Sequence, residues 1–240
     1  LVFDQLDLKK KPINTFILDC TGQSRLHAKK SSDRHMIHYP NPAPGNKPIT
    51  VGHQYSVLTM LPDDRTLKDK HWVLPISAQR VPSDQKGHEC GMQQLANTID
   101  HLQLSDQMTI SVGDTLYGTE KCRVSASKQN NLVHIFRLNS KRNVYSHPKD
   151  SNKRDKKKPG RHKEFGNKMN LNKPDTHLSI DDSTSTPWVS ARGKQYQVAI
   201  DAWHNMLVRG SRSFKSSKHP ITVIRIHITK ENGESLYKKP

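Results

Sequence analysis

Apolar positions fall into short clusters, and their spacing predicts a strand-rich domain over residues 1–145. Ile13–Cys20 (INTFILDC) gathers Phe16, Ile17 and Leu18 and stops abruptly at Asp19, the pattern of a central, fully buried strand. Residues 22–50 are polar and carry Pro40, Pro42, Pro44, Gly45 and Pro48, which predicts a long loop. His53–Leu61 and His71–Val81 predict two more strands around a polar turn with Pro62, Asp63 and Asp64. Pro75 cannot donate to a ladder, so the second of these is expected at a sheet edge. Met92, Leu95, Ala96, Ile99 and Leu102 recur at intervals of three and four, predicting a helix with one apolar stripe. Ser83 or Asp84 is expected to cap it, while Gly87 and Gly91 weaken its first turns. Met108–Gly113 is strand-like and stops at Asp114; a weaker helix over 119–128 and a strand over Asn131–Leu138 follow.

Beyond this core the pattern breaks and then returns. Between Pro148 and Pro174 stand ten Lys or Arg against three Asp or Glu, with hardly an apolar residue. Such a stretch buries too little surface to order itself, so residues 146–185 are expected to be a basic linker. From Trp188 alternation resumes: Tyr196, Val198, Ile200 and Ala202 alternate with polar neighbours, and Arg192-Gly193 predicts a hairpin turn. Ile221–Thr229 is a second alternating strand, followed by the hairpin dipeptide Asn232-Gly233. Residues 186–240 are therefore expected to be a β-rich region. The chain begins with Leu1 and ends in the returning arm of that hairpin, as a piece of a longer protein would.

Composition narrows the classes. Of 240 residues 32% are hydrophobic, and the mean hydropathy is −0.84. No run approaches the roughly 18 apolar residues of a membrane span. No secretory pattern opens the chain, and three widely spaced cysteines form neither a disulfide framework nor a zinc knuckle. An intracellular chain with no membrane partner is expected. Lys and Arg number 39 against 22 Asp and Glu, a net charge of +17, which points to a polyanionic partner, foremost nucleic acid.

Within this basic chain, Asp19 and Asp114 stand out because each directly follows an apolar strand. Were those strands parallel neighbours, both carboxylates would emerge at one carboxyl edge of the sheet, where open α/β sheets place ligands. Paired carboxylates call for a cation, and Mg²⁺ suits them because it takes oxygen ligands and leaves room for water and phosphate. Asp also ends many strands with no such role. Nucleotide-binding signatures are missing: Gly160 and Gly166 precede Asn167-Lys168 at the wrong interval, with no Ser or Thr after the Lys. His35 and His38 lack the partners of a zinc site. Candidate phosphate contacts are Lys47, the run Lys156, Lys157, Lys158 and Arg161, and the set Arg209, Arg212, Lys215 and Lys218 around Phe214.

Taken together, ILDCT at Asp19, YPNPAPGNKPITVGHQYSVL from Tyr39, WVLPISAQRVPSDQ from Trp72 and SVGDTLYGT at Asp114 closely resemble a bacterial insertion-sequence transposase of the DDE type. TPWVSARGKQYQV, AWHNMLVRG and HPITVIRI, between Thr186 and Ile226, resemble the same family. The resemblance implies an α/β, RNase H-like catalytic domain: a mixed five-stranded sheet, its first three strands antiparallel and the third at an edge, plus a β-rich insertion. It implies that Asp19 and Asp114 are the first two catalytic acids, holding Mg²⁺ or Mn²⁺, expected as two ions. It implies DNA partners, transposon ends and target, with water cutting one strand and the freed 3′-OH attacking the target. A homodimer on paired ends and a cytoplasmic, nucleoid-associated location follow from it. The family's third acid is a Glu on a helix with Tyr and Arg before it and Lys after it. Glu164, Glu231 and Glu234 lack that setting, so the third acid is expected beyond Pro240 and the chain is expected to be a fragment of the catalytic domain, inactive alone. Two other readings compete: a non-catalytic, basic nucleic-acid-binding protein derived from a transposase, and an RNase H-like nuclease that cuts without joining.

Overall fold

Along β1 (Ile13–Ser24) the buried residues Asn14, Phe16 and Leu18 alternate with less buried neighbours, so the strand presents two different faces. The computed structural model describes residues 12–38, 47–62, 73–148, 164–190 and 192–237. The chain divides into two compact units, Leu1–Leu138 and Asn139–Pro240.

In the first unit β2 (His35–His38), β3 (Ile49–Leu61), β4 (Leu74–Val81), β5 (Met108–Gly113) and β6 (Leu132–Phe136) join β1 in one mixed sheet. β1 pairs antiparallel with β3 on one side and parallel with β5 on the other, and β6 continues the parallel half. β3 is long enough to carry two strands on its far edge, β2 along Ile49–Gly52 and β4 along Gln54–Met60. Among the described residues two helices, α1 (Gly87–His101) and α2 (Glu120–Ala126), accompany the sheet. Phe16 and Leu18 of β1, Leu58 and Met60 of β3, and Met92, Leu95 and Ile99 of α1 form one apolar core with Tyr117, Cys122 and Ala126. The α1 stripe is thus the one its three-and-four spacing predicts.

Several expectations need correction. Among the described residues the sheet has six strands rather than five, because the predicted loop 22–50 contains β2. That strand is only four residues long and buries Ile37 alone, too little to leave a periodic signal. The N-cap of α1 is Lys86 without a side-chain bond, not Ser83 or Asp84; the Ser83 N–H donates instead to Asp33 Oδ1. Pro75 lies in β4, which pairs only with β3, at a break in that ladder.

The second unit holds a two-stranded ladder, β7 (Asn143–Tyr145) with β8 (Lys168–Asn170), and an antiparallel sheet of β9 (Asp182–Val189), β10 (Gln195–Met206) and β11 (Ile221–Lys230). Gly193 at φ +73° and Gly233 at φ +79° occupy the two predicted turns, where the left-handed backbone favours glycine. Of the expected linker 146–185, residues 149–163 lie outside the described residues, but β8 and the start of β9 are ordered chain. β9 was invisible to periodicity because all eight of its residues are exposed and most are Ser, Thr or Asp. A half-buried ion pair secures this sheet: Arg225 donates twice to Asp201 Oδ2, at 3.0 and 2.7 Å, and lies over the Trp203 ring. No helix among the described residues is long and apolar enough to cross a membrane.

Candidate metal and nucleic-acid site

The parallel ladder between β1 and β5 ends with Ile17 opposite Val112. Asp19 and Asp114 each stand two residues further along, at the same level on adjacent parallel chains. Asp114 directly follows β5, but Asp19 does not end β1 as expected, since the strand runs on to Ser24 and Asp19 is paired opposite Val57 of β3. By strand alternation both belong to the face of Ile17 and Val112, opposite the face that packs on α1. Both are exposed. Local bonds orient each carboxylate through a single oxygen: Asp19 Oδ1 accepts from the Cys20 N–H at 2.8 Å, and Asp114 Oδ1 from the Leu116 N–H at 2.8 Å. The second bond starts a 3-10 turn, Thr115–Gly118, which carries the chain off the sheet at the strand end.

Beneath the carboxylates lies a dry layer. Tyr117 is 1% exposed, and its hydroxyl lies 3.5 Å from Cys20 Sγ. Burial pushes the Cys20 thiol up, the Tyr117 contact opposes this, and Asp19 and Asp114 both add to the rise, so both carboxylates reach this thiol electrostatically. Burial likewise holds the Tyr117 phenol well above its usual range. His88, on α1 beside the Tyr117 ring, is pushed down by burial and stays neutral near pH 7, despite a smaller opposing pull from Glu89 and Asp114.

Two level carboxylates, each with one oxygen left over, are hard oxygen donors of the kind Mg²⁺ or Mn²⁺ accepts, with water and phosphate filling the other positions. The residues present fit such an ion as a partial ligand set. Among the described residues no group of three His, Cys, Asp or Glu side chains could hold a metal. Glu89 is taken by Lys121 at 2.9 Å and Glu234 by Lys230 at 3.1 Å.

The basic candidates separate. Lys47 is exposed just before β3. Lys156, Lys157, Lys158 and Arg161 lie outside the described residues. In the second unit Arg212, Lys215 and Lys218 are exposed on the connection between β10 and β11. Arg209 is exposed as well, but its guanidinium lies over the Tyr145 ring at 4.6 Å and the Phe165 ring at 5.0 Å. Phe214 stacks on His219 with centroids 5.4 Å apart, so one face of its ring is already covered. Sequence reasoning passed over Cys20, Tyr117 and the role of Gly87 and Gly91. The available signal was the four-residue spacing of those glycines and a tyrosine three residues past Asp114.

A mixed sheet with two helices among the described residues, which brings two exposed carboxylates level on adjacent parallel strands of a strongly basic chain, places the protein in the α/β class. Within that class the chain belongs to the DDE superfamily endonucleases, whose family profile matches residues 4–207. No curated protein matches it. Membership makes this a nuclease-type enzyme with DNA as its substrate, in a family that generally uses divalent metal ions.

Proposed function

We propose that the chain is the catalytic region of an insertion-sequence transposase with an RNase H-like fold, which cuts DNA at transposon ends and joins the freed 3′-OH to target DNA. The observation that carries the reading is the level placement of Asp19 and Asp114 on neighbouring parallel strands. The strand order β4-β3-β1-β5-β6, antiparallel on one half and parallel on the other, supports the fold assignment.

Asp19 and Asp114 would hold Mg²⁺ or Mn²⁺, as two ions, with a third ligand from outside the described residues. Bound there, the ions supply positive charge to the attacking and leaving oxygens of an in-line phosphoryl displacement. The protein's share is positional. Backbone N–H groups of Cys20 and Leu116 each fix one carboxylate oxygen and turn the other outward. Exposed Lys47, Arg212, Lys215 and Lys218, with the basic run at 156–161, neutralise phosphates and hold the DNA regardless of its sequence. On this reading the partners are transposon ends and target DNA, a homodimer pairs the two ends, and the protein works at the nucleoid.

The test uses the chain joined to the segment that supplies its third acid, with supercoiled plasmid, a labelled duplex with a free 3′-OH and Mg²⁺ or Mn²⁺. Metal-dependent nicking and joining are expected, with Asp19→Asn and Asp114→Asn each lowering both by about a thousandfold, as for loss of a major electrostatic group. Undiminished activity in Asp114→Asn would overturn the site. Nicking without joining would make the protein a nuclease only, and metal-independent, salt-sensitive binding with no chemistry would make it a binding protein.

A further inference from the structure

Tyr117 touches both strands that carry the carboxylates, β1 at Cys20 and β5 at its end. Its backbone N–H donates to the Asp114 carbonyl at 3.2 Å, within the turn that Asp114 Oδ1 begins. Its ring lies so close over Gly113 that a Cβ there would stand 2.6 Å from the ring's Cγ. Across the sheet its hydroxyl meets Cys20 Sγ at 3.5 Å, and the N–H of that same Cys20 is the one bonded to Asp19. Its carbonyl accepts from His134 Nε2 at 3.0 Å, which ties the turn to β6. α1 closes the arrangement from above with two glycines one turn apart. A Cβ on Gly91 would lie 2.8 Å from the Tyr117 hydroxyl, and one on Gly87 would lie 2.6 Å from Cys20 Sγ. Helix, ring and thiol thus meet in a layer where an added methyl would force something to move.

We propose that Tyr117 is a positioning residue that sets the separation of Asp19 and Asp114 from beneath the sheet, through its Cys20 contact on one side and its own turn on the other. The inference rests on the reading of Asp19 and Asp114 as metal ligands. β1 and β5 pair with each other only as far as Ile17 and Val112. Beyond that Asp19 is held opposite Val57 of β3 and Gly113 opposite Phe136 of β6, so the gap between the two acids is not set by a shared ladder and needs another constraint. A side chain 1% exposed, in contact with both strands, supplies it. The chemistry gives such a constraint a purpose. Mg²⁺ demands near-ideal octahedral geometry at about 2.1 Å, whereas Ca²⁺ accepts six to eight oxygens in flexible arrangements. Loosening the pair by a few tenths of an ångström therefore penalises Mg²⁺ far more than Ca²⁺. Tyr117 itself touches no ion and no substrate.

The experiment measures Mg²⁺ and Ca²⁺ affinities of the whole chain by competition against Mn²⁺, followed by electron paramagnetic resonance. Tyr117→Phe removes only the hydroxyl, and Cys20→Ala removes its partner, so the same contact is broken from either side. Each is expected to weaken Mg²⁺ about tenfold, the loss typical of a group that orients a metal ligand, and Ca²⁺ less than about threefold. The double variant should be no worse than Tyr117→Phe alone, which already loses the Cys20 contact along with the hydroxyl's interaction with Ser56. Circular dichroism at the assay temperature confirms that each variant is folded. Equal weakening of both ions, or no weakening, in the folded variants overturns the positioning role. Asp19→Asn and Asp114→Asn serve as the separate control. If they leave Mn²⁺ binding intact, it is the metal-site reading that fails, whatever Tyr117→Phe does.

Discussion

His134 shows how one side chain links the strand layer to the candidate site. Its Nε2 meets the Tyr117 carbonyl at 3.0 Å, and a carbonyl only accepts, so Nε2 carries the proton. Nδ1 then accepts from the Ser111 hydroxyl at 2.7 Å. Burial pushes the His134 pKa down, against a smaller upward pull from the Tyr117 carbonyl, so the folded protein favours the neutral ring. A folded pKa below the unfolded value of about 6.5 means that the stabilisation is complete above that pH and is lost as pH falls below it. The urea midpoint is expected to drop between pH 7.5 and 5. His134→Gln should flatten that slope and cost about 1–3 kcal/mol at pH 7.5, the cost of leaving buried partners unsatisfied. His88, pushed down by burial in the same sense, retains part of the slope. An unchanged pH slope in His134→Gln would remove the ring from this role.

At the scale of elements, the glycines near the site invert the usual propensity argument. An alanine in place of a helix glycine normally gains up to about 1 kcal/mol, and one in a strand gains a similar amount. Here a Cβ on Gly113 would stand 2.6 Å from Tyr117 Cγ and 2.7 Å from its Cβ, at the root of a buried ring that cannot swing aside. On Gly87 it would meet Cys20 Sγ at 2.6 Å and, at 3.1 Å, the end of the Gln54 side chain, which is freer to turn. Both alanine variants should lose stability, by about 1–3 kcal/mol where overpacking wins, with Gly113→Ala the worse of the two in urea denaturation. A gain in either would show that the layer has room. The same elements show what pattern reveals and what it hides. β1, β3, β5 and the α1 stripe were legible because they bury runs of Phe, Leu, Ile and Met. Asp114 was legible as an abrupt polar stop, but at Asp19 only the apolar run stops, while β1 continues through polar residues to Ser24 because β3 keeps pairing with it. β2 and β9 were not, since one buries a single side chain and the other none. Tyr117 sits in an irregular turn with no period to read, and the α1 glycines registered only as weakness because their partners lie far away in sequence.

At the scale of the whole molecule, the +17 charge predicts affinity for DNA but does not say which cations make the contacts. The second unit separates them on physical grounds. Arg209 is committed to the protein, its guanidinium lying over Tyr145 and Phe165, whose rings are 5.1 Å apart. Cation–π contacts of this kind are worth about 0.5–2 kcal/mol, so Arg209→Ala should chiefly destabilise the second unit. Arg212, Lys215 and Lys218 are exposed on one connection and hold their charge in solvent, where a phosphate backbone can displace their counterions. Each phosphate contact steepens the dependence of log K on log salt by about 0.9. Replacing all three by alanine should therefore flatten the slope by about 2–3, measured by fluorescence anisotropy on duplex DNA between 50 and 200 mM salt. Arg209→Ala should leave the slope nearly unchanged while lowering the thermal midpoint. If Arg209→Ala flattened the slope as much as the triple substitution, the aromatic rings would be holding that arginine toward DNA instead of within the fold.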